Sequence, residues 1–584
     1  LEVPVANFFS DNSDIKFLFD HMDLEELAGI QELNAENGDA DYVPADAVDS
    51  VDNYRRVLEI VGQIAGDTIA PNAEEVDADG NTLNDDGTVT YHPLVQQNMD
   101  RMSQADMMGF TLPRKYGGLN CPCLIYTMAT EIIARADGSF MNMFGLQGIA
   151  ETINAFASQE IKDEILPRFA IGEVTGAMVL TEPDAGSDLQ AVRLVATPDG
   201  NGEWILNGVK RFITNGCGEI LLTLARSEPE IADGRGLSLF ISERSEKVIV
   251  RHLEDKLGIH GSPTCELVYT DMPARLVGER QRGLITYVLA LMNGARVGIA
   301  AQSMGIAEAA YRLARTYAHT REQFGVPIER MPAVAEMVAD MQVYIEASRA
   351  LLYETSGFCD QENNNLRILE WSADLDKDEK KARKQKSRQF KRLNSMLTPM
   401  SKYYCSEMCI SVTNDAVQVL GGSGFIKDYP AERYLRDARI TTIYEGTSQL
   451  QVVAAIRGVT SGTFEQFIKS YEEKTFDDPM LAELKQKLVD AKTKIIEVVA
   501  FVKSQSGSYV DLSARRLVDS AITVICGHLL LGHAVDNDRK KRVARRYIEK
   551  GLGSLERDCK EVLGGDMSAI EEYELLAGPV PVVE

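Results

Sequence analysis

Residues 284–317 form a helix-patterned stretch with no proline, and nothing else in the chain limits the fold as strongly. Gly294, Gly298, Gly305 and several alanines lie along it, and small residues let helices approach closely. Helical patterning resumes over 333–356 and 397–420 and again after Glu445. The expected unit is therefore a four-helix bundle.

Two other regimes precede it. Tyr54, Val57, Leu58, Val61 and Ile64 recur at three- and four-residue spacing up to the breaker at Pro71, which marks the start of a helical domain. Further helices are expected over 93–107 and 123–136, with a polar loop over 77–87. Near residue 175 the pattern turns to strands. Residues 204–206, then Asn207-Gly208, then 209–214 predict a hairpin with a type I′ turn. Asn215-Gly216 ends that strand, and runs at 237–241, 248–250 and 265–269 extend the β region to about Pro273. The expected fold is α+β, mainly α. It comprises an acidic arm (1–50) that docks on something larger, an N-terminal helical domain (51–174), a middle β domain (175–277), a C-terminal four-helix bundle (278–459) and an extra C-terminal helical domain (460–584).

Composition excludes some classes of function. A net charge of -27 in 584 residues repels phosphate backbones, so nucleic acid is not an expected partner. Nine cysteines without a C-x-x-C pair indicate neither a disulfide framework nor a metal site. The chain begins Leu1-Glu2-Val3 with no basic-then-apolar leader, and no apolar run is read as approaching the ~20 residues of a membrane span. A cytoplasmic protein is the expectation, although the missing initiator Met leaves a processed leader open. The segment 360–392, with Lys380, Lys381, Arg383, Lys384, Lys386, Arg388 and Lys391, reads as a solvated insertion in the bundle, ahead of a docking site for a partner or for the phosphates of a ligand. Residues 518–535 read as a buried helix with His528 and His533 in or near the core. Arg539-Lys-Lys-Arg542 with Arg545 and Arg546 reads as solvated surface, ahead of a membrane-surface or partner contact.

The stretch richest in chemistry is 436–449. Glu445 follows Ile443 and Tyr444 and precedes Gly446-Thr447-Ser448. Gly446 allows a turn, and Thr447 or Ser448 can cap the helix that follows. Desolvated by a bound apolar ligand, the carboxylate would rise in pKa toward the working pH of a general base. The other reading is a loop glutamate stabilised by a helix N-terminus.

Several segments taken in order resemble the acyl-CoA dehydrogenase family. They are Gly109-Phe-Thr-Leu-Pro113, residues 157–173, Met178-Val-Leu-Thr181 through Ser187-Asp188, Phe212-Ile-Thr214-Asn-Gly, Arg321-Glu-Gln-Phe324-Gly325, Gln418-Val-Leu-Gly-Gly-Ser-Gly-Phe425, Asp428-Tyr-Pro-Ala-Glu-Arg433 and Ile443-Tyr444-Glu445-Gly446-Thr447-Ser448-Gln449. The added arm, charged segment and C-terminal helices resemble its long bacterial branch, which includes 3-methylmercaptopropionyl-CoA dehydrogenase.

The resemblance implies an FAD enzyme that converts an acyl-CoA thioester to the 2-enoyl-CoA. Glu445 removes the α-proton, hydride passes to flavin N5, and electron-transfer flavoprotein receives the electrons. It also implies that Leu180, Thr181 and Thr214 bond the flavin ring and that Phe212 packs on it, where many members carry tryptophan. Arg321 and Phe324 meet the FAD of a neighbouring subunit, as do Gln418, Gly421 and Gly422, and Thr447 and Gln449 also touch the cofactor. A homo-oligomer follows, a dimer first. Ser187, Arg296, Tyr444 and Gly446 fall on the substrate side, and the Glu445 N–H receives the thioester oxygen. Some branches carry the base directly before the arginine matching Arg296; here that residue is Ala295. The absence of a G-x-G-x-x-G motif or a P-loop leaves the flavin to be gripped by other means. An acyl-CoA oxidase, told apart by peroxide release in air, and a non-catalytic acyl-CoA-binding scaffold, told apart by failure to retain flavin, are the competing readings.

Overall fold

The computed structural model describes residues 6–371 and 375–581, so Leu1-Glu2-Val3 and positions 372–374 of the charged segment lie outside it. Two short helices form the arm, α1 (Ser13–His21) and α2 (Leu24–Glu32). Each starts at a side-chain cap, where Asn12 accepts from the Asp14 and Ile15 amides and Asp23 from that of Glu26. The N-terminal helical layer contains α3 (Ala47–Ile64), α4 (Ala70–Asp79), α5 (Pro93–Gln104), α6 (Cys123–Ala136), α7 (Phe140–Gly145), α8 (Gln147–Phe156) and α9 (Gln159–Ala170). A small ladder, β1 (Thr82–Leu83) and β2 (Val89–Thr90), follows α4. Almost all of α6 is buried, because it lies between α3 and the bundle.

Seven strands make the middle domain: β3 (Gly176–Val179), β4 (Val195–Pro198), β5 (Trp204–Thr214), β6 (Ile220–Arg226), β7 (Leu237–Glu243), β8 (Val248–Leu253) and β9 (Thr264–Val277). Their order is β3-β6-β4-β5-β9-β7, with β8 on β9, and a further pairing of β6 with β7 closes the sheet on itself. Leu194, Leu206, Phe240, Val250 and Leu267 fill its interior. The predicted hairpin at Asn207-Gly208 does not form. Residues 204–214 are one continuous strand, and the Asn-Gly pair sits at a bulge where the register against β9 slips. A turn there would strip β9 of its partner. Gly208 instead takes φ +145° and passes so close to Leu194 that a Cβ would lie 2.9 Å from its side chain.

The bundle is built from α10 (Leu289–Thr320), α11 (Pro332–Trp371), α12 (Lys377–Leu420) and α15 (Ser448–Thr460), with α13 (Gly422–Phe425) and α14 (Ala431–Ile440) leading into the last. The long stretch owes its position to its small residues: a Cβ on Gly305 would stand 2.4 Å from the Glu131 carbonyl oxygen of α6. One helical segment among the described residues, Gly283–Thr320, is long and apolar enough to cross a bilayer, contrary to the reading that no such run exists. Here it packs against α6, α11 and α12.

The charged segment is not an insertion between bundle helices. Helix α11 runs 40 residues and α12 runs 44, so 360–392 is the paired end of two long helices. Lysine, arginine and glutamate are good helix formers and mark an exposed face rather than a break. The inner face of this end is polar and buried. Asp360 caps α6 by accepting from the Cys123 and Leu124 amides at 2.7 and 2.9 Å. Asn364 meets Gln31 and Asn34 of the arm at 2.9 and 3.0 Å.

Beyond the bundle lie α16 (Thr463–Glu472), α17 (Pro479–Lys503), α18 (Gly507–His533), α19 (Asp538–Leu563), α20 (Ser568–Glu571) and α21 (Tyr573–Ala577). Their core is continuous with Val343, Ala347, Met400, Val452 and Ile456 of the bundle. The basic run at the start of α19 is not simply solvated. Lys540 is buried against Asp14 and Glu346, Arg539 pairs with Glu346, and Arg546 meets Asp340 at 2.6 Å. These cations bind the extension to α11 and the arm.

Candidate active site

The loop after α14 carries the central residue. Glu445 has φ +55° and Gly446 φ +91°, and two left-handed residues in succession swing the chain outward just before α15. For a glutamate this conformation costs roughly 1–2 kcal/mol, so the surroundings must enforce it. Lys402 donates to the Gly446 carbonyl at 2.8 Å, and Gln451 donates to both the Glu445 and Gly446 carbonyls at 3.1 Å. Thr447 caps α15 by accepting from the Leu450 amide. The Tyr444 hydroxyl points inward to Gln302 and to Asn142, the latter at 3.3 Å. That ring therefore braces the loop, with its polar end committed to the protein.

The Glu445 carboxylate makes no hydrogen bond and no ion pair among the described residues. Burial pushes its pKa up to about 7, and the positive charges of Lys402 and Arg296 only partly oppose this. The same burial lowers Lys402 to about 7. Arg296 is also held below its ordinary value by burial. It donates to Asn293 at 3.0 Å, while its buried Nε has no partner. Among the described residues no acceptor faces the Glu445 backbone N–H either.

The β-domain residues singled out from the sequence lie on and beside β5. Lys210 is fully buried; it donates to the Leu180 carbonyl at 2.8 Å and lies 3.0 Å from Glu182. Glu182 in turn accepts from the Arg193 and Leu194 amides, and the Arg211 amide donates to the Thr181 carbonyl at 2.9 Å. This network holds the Leu180–Ser187 loop against β5. Phe212 sits at a second slip in the β5–β9 register with φ +60°, which turns its ring outward to more than half exposure. Thr214 pairs with Thr264, and the Asn215 amide donates to the Pro263 carbonyl at 2.7 Å. Ser262 then accepts from Asn142 at 3.2 Å, and Asn142 also meets Tyr444. A short hydrogen-bonded path thus joins the Phe212–Thr214 strand to the Glu445 loop, bringing Leu180, Thr181, Phe212, Thr214, Arg296, Tyr444, Glu445 and Gly446 to one region. Thr447 and Gln449 open the adjoining helix, and Ser187 is exposed on the β-domain loop.

Arg321, Phe324, Gln418, Gly421 and Gly422 form a separate group. Arg321 follows the C-terminus of α10, while Arg296 lies near its N-terminus, so about 37 Å of helix separates them at roughly 1.5 Å per residue. All five residues are exposed. A Cβ on Gly421 or Gly422 would meet nothing within 4 Å, and Tyr317 reaches Ser423 at 3.3 Å to bind this end together. Sequence reading did not single out Lys402, Gln451, Gln302, Asn142 or the Lys210–Glu182 pair. The available signal was a lysine and glutamines within otherwise apolar helical faces.

Models of the acyl-CoA dehydrogenase N-terminal, middle and C-terminal domains match residues 52–173, 177–272 and 282–459, and one described as acyl-CoA dehydrogenase C terminal matches 460–562. The short-chain-specific acyl-CoA dehydrogenase of Clostridium acetobutylicum is 33% identical over 401 residues, or 68% of this chain and 94% of its own. The 3-methylmercaptopropionyl-CoA dehydrogenase of Ruegeria pomeroyi is 33% identical over 429 residues, 69% of each chain. An acyl-CoA dehydrogenase from Bacillus anthracis solved with FAD shares the fold over 94% of both chains, with a TM-score of 0.75 and 22% identity. With all three domains matched in order around the Glu445 loop, the chain belongs to the acyl-CoA dehydrogenase family of FAD-dependent oxidoreductases.

Proposed function

We propose that this enzyme removes the α and β hydrogens of an acyl-CoA thioester, with Glu445 as the base. The observation that carries the reading is an unpaired, desolvated carboxylate at a strained turn, braced by Lys402, Gln451, Gln302 and Asn142 from four helices. At a pKa of about 7 it is ionised often enough to accept the α-proton and basic enough to hold it. The unengaged Glu445 N–H points to a place for the thioester oxygen, and a donor aimed at the developing enolate contributes about 3–4 kcal/mol in comparable sites. FAD, when bound, supplies the acceptor for the β-hydride.

The residues present fit FAD. Phe212 offers an exposed ring, Leu180, Thr181 and Thr214 are held beside it, and Gly421 and Gly422 leave their backbone open to a close approach. Because Arg321, Phe324, Gln418, Gly421 and Gly422 lie so far from the Glu445 end, we assign them to the cofactor of a second copy. Phe324 is 95% and Phe425 82% exposed at that end, an apolar face that a homodimer would cover. Thr447 and Gln449 complete the cofactor side, and Ser187 and Arg296 the CoA side. The same reading makes electron-transfer flavoprotein the acceptor and the cytoplasm the location.

The test is anaerobic titration of the FAD-loaded protein with a panel of acyl-CoA thioesters. One of them should bleach the flavin band, and Glu445→Gln should retain flavin yet reduce it at least a thousandfold more slowly, about 4 kcal/mol of lost transition-state stabilisation. Fast bleaching by the variant would remove Glu445 from the role. Peroxide release in air without an added acceptor would identify an oxidase, and a protein that retains no flavin would point to a scaffold.

A further inference from the structure

Helix α12 buries a lysine with no carboxylate bonded to it. Lys402 lies among the buried residues Thr398, Pro399, Met400, Ser401 and Tyr403 and has no exposed surface. An ammonium removed from water needs compensation. Its hydrogen bond goes to the Gly446 carbonyl, and the anions facing it are Glu445 and Glu407. Glu407 is already engaged, accepting from Ser448 at 2.6 Å and pairing with Arg515 of α18 at 3.0 Å. The carboxylate left for Lys402 to act on is Glu445.

The other groups around the base are accounted for. Arg296 faces it from α10. On its own segment, Tyr444 spends its hydroxyl on Gln302 and Asn142, and Asp437 accepts from the Ile259 amide of the β domain. Lys402 is therefore the group on α12 that touches both the backbone and the field of the base.

We propose that Lys402 is a positioning residue for Glu445: its bond to the Gly446 carbonyl holds the left-handed turn, and its charge favours the ionised base before substrate arrives. This rests on the dehydrogenation reading above. It assigns Lys402 no proton transfer with the substrate. Gln451 supports the same turn but carries no charge, so the two functions separate by substitution.

Lys402→Gln retains a donor for the Gly446 carbonyl without the charge, Lys402→Met loses both, and Lys402→Arg retains the charge. Flavin reduction by saturating thioester is followed in stopped flow across a pH series, with thermal melting and flavin content as controls. In the parent enzyme the rate should climb with pH as Glu445 and Lys402, which titrate as a pair, lose their first proton. The climb should move up by about one pH unit or more in the Gln and Met variants and return toward the parent position in Arg. KM should change less than the limiting rate, and Met should fall about tenfold below Gln. If Met does not fold, the Gln–Arg comparison decides. An unmoved climb in Gln, or an Arg climb displaced as far as that of Gln, would overturn the proposal.

A second readout needs no turnover. The carboxyl infrared band lost in Glu445→Gln is titrated on flavin-free protein, and it must shift upward in Lys402→Gln and not in Lys402→Arg. An unshifted band overturns the role of Lys402 even where no thioester has bleached the parent enzyme, a result that would count separately against the dehydrogenation reading.

Discussion

At the scale of single residues, this protein places charge where burial makes it expensive and then surrounds it. Arg349 of α11 has no exposed surface and binds three carboxylates, Asp14 of the arm, Glu131 of α6 and Glu308 of α10. Lys540 reaches the same Asp14 from the extension, and the two cations together hold its pKa down to about 2 against the opposing effect of burial. Removing one member leaves uncompensated charge in a dry site. Arg349→Met should lower stability by about 3–5 kcal/mol, measured as a lower denaturation midpoint at neutral pH. The Met variant should recover part of this loss as pH falls and the orphaned carboxylates protonate. Glu445 departs from this pattern. Its neighbours approach without bonding it, leaving its charge available.

At the scale of elements, the β domain is fastened to the helices through Asp77 of α4. Arg436 of α14 meets Asp77 at 2.6 Å, and His260, on the segment before β9, lies 3.1 Å from it and also donates to the Asp77 and Lys256 carbonyls. The bond to Asp77 raises His260 to about 9. A raised histidine contributes stability that is complete below its unfolded value near 6.5 and is lost as pH rises through its folded value. The melting temperature should therefore decline between about pH 6.5 and 9. In Asp77→Asn it should start lower and decline less over that window, measured by scanning calorimetry. This junction also sets the site, because the residues after His260 carry Ser262 and the strand paired with Thr214.

At the scale of the whole molecule, the extension shares its core with the bundle. Leu484, Leu488, Leu517 and Ile525 form one apolar cluster with Val343, Ala347, Met400 and Val452, so the two regions bury one another's surface. Ending the chain after residue 459 should expose that face and convert a soluble preparation into an aggregating one, or lower the melting point by several degrees. Static light scattering and a thermal scan would measure it. A truncated chain as stable and monodisperse as the full one would mean that the shared core contributes little. The arm is secured by the same logic, since Asp14 lies between a bundle arginine and an extension lysine.

Much of this architecture was legible in order along the chain, because it follows from local rules. Period 3.6 against period 2 separates helical regions from the β region, and Thr447 caps α15 as a threonine before a helix should. Glu445 was singled out as the proposed base through the family resemblance of residues 443–449; its apolar, turn-forming and capping neighbours taken alone also suit a loop glutamate. What only the tertiary structure decided is where local chemistry has two outcomes or where partners are distant in sequence. Asn207-Gly208 satisfies a turn or a bulge equally, and β9 chooses the bulge by pairing along the whole of β5. A lysine- and arginine-rich run is polar wherever it lies; the carboxylates of α11 and the arm turn the start of α19 into a clamp centred on the buried Lys540. Lys402 is 43 residues from Glu445 in the chain. The effect proposed for it on that carboxylate depends on the fold bringing α12 and the loop before α15 together out of water, where charges interact more strongly than they do in solution.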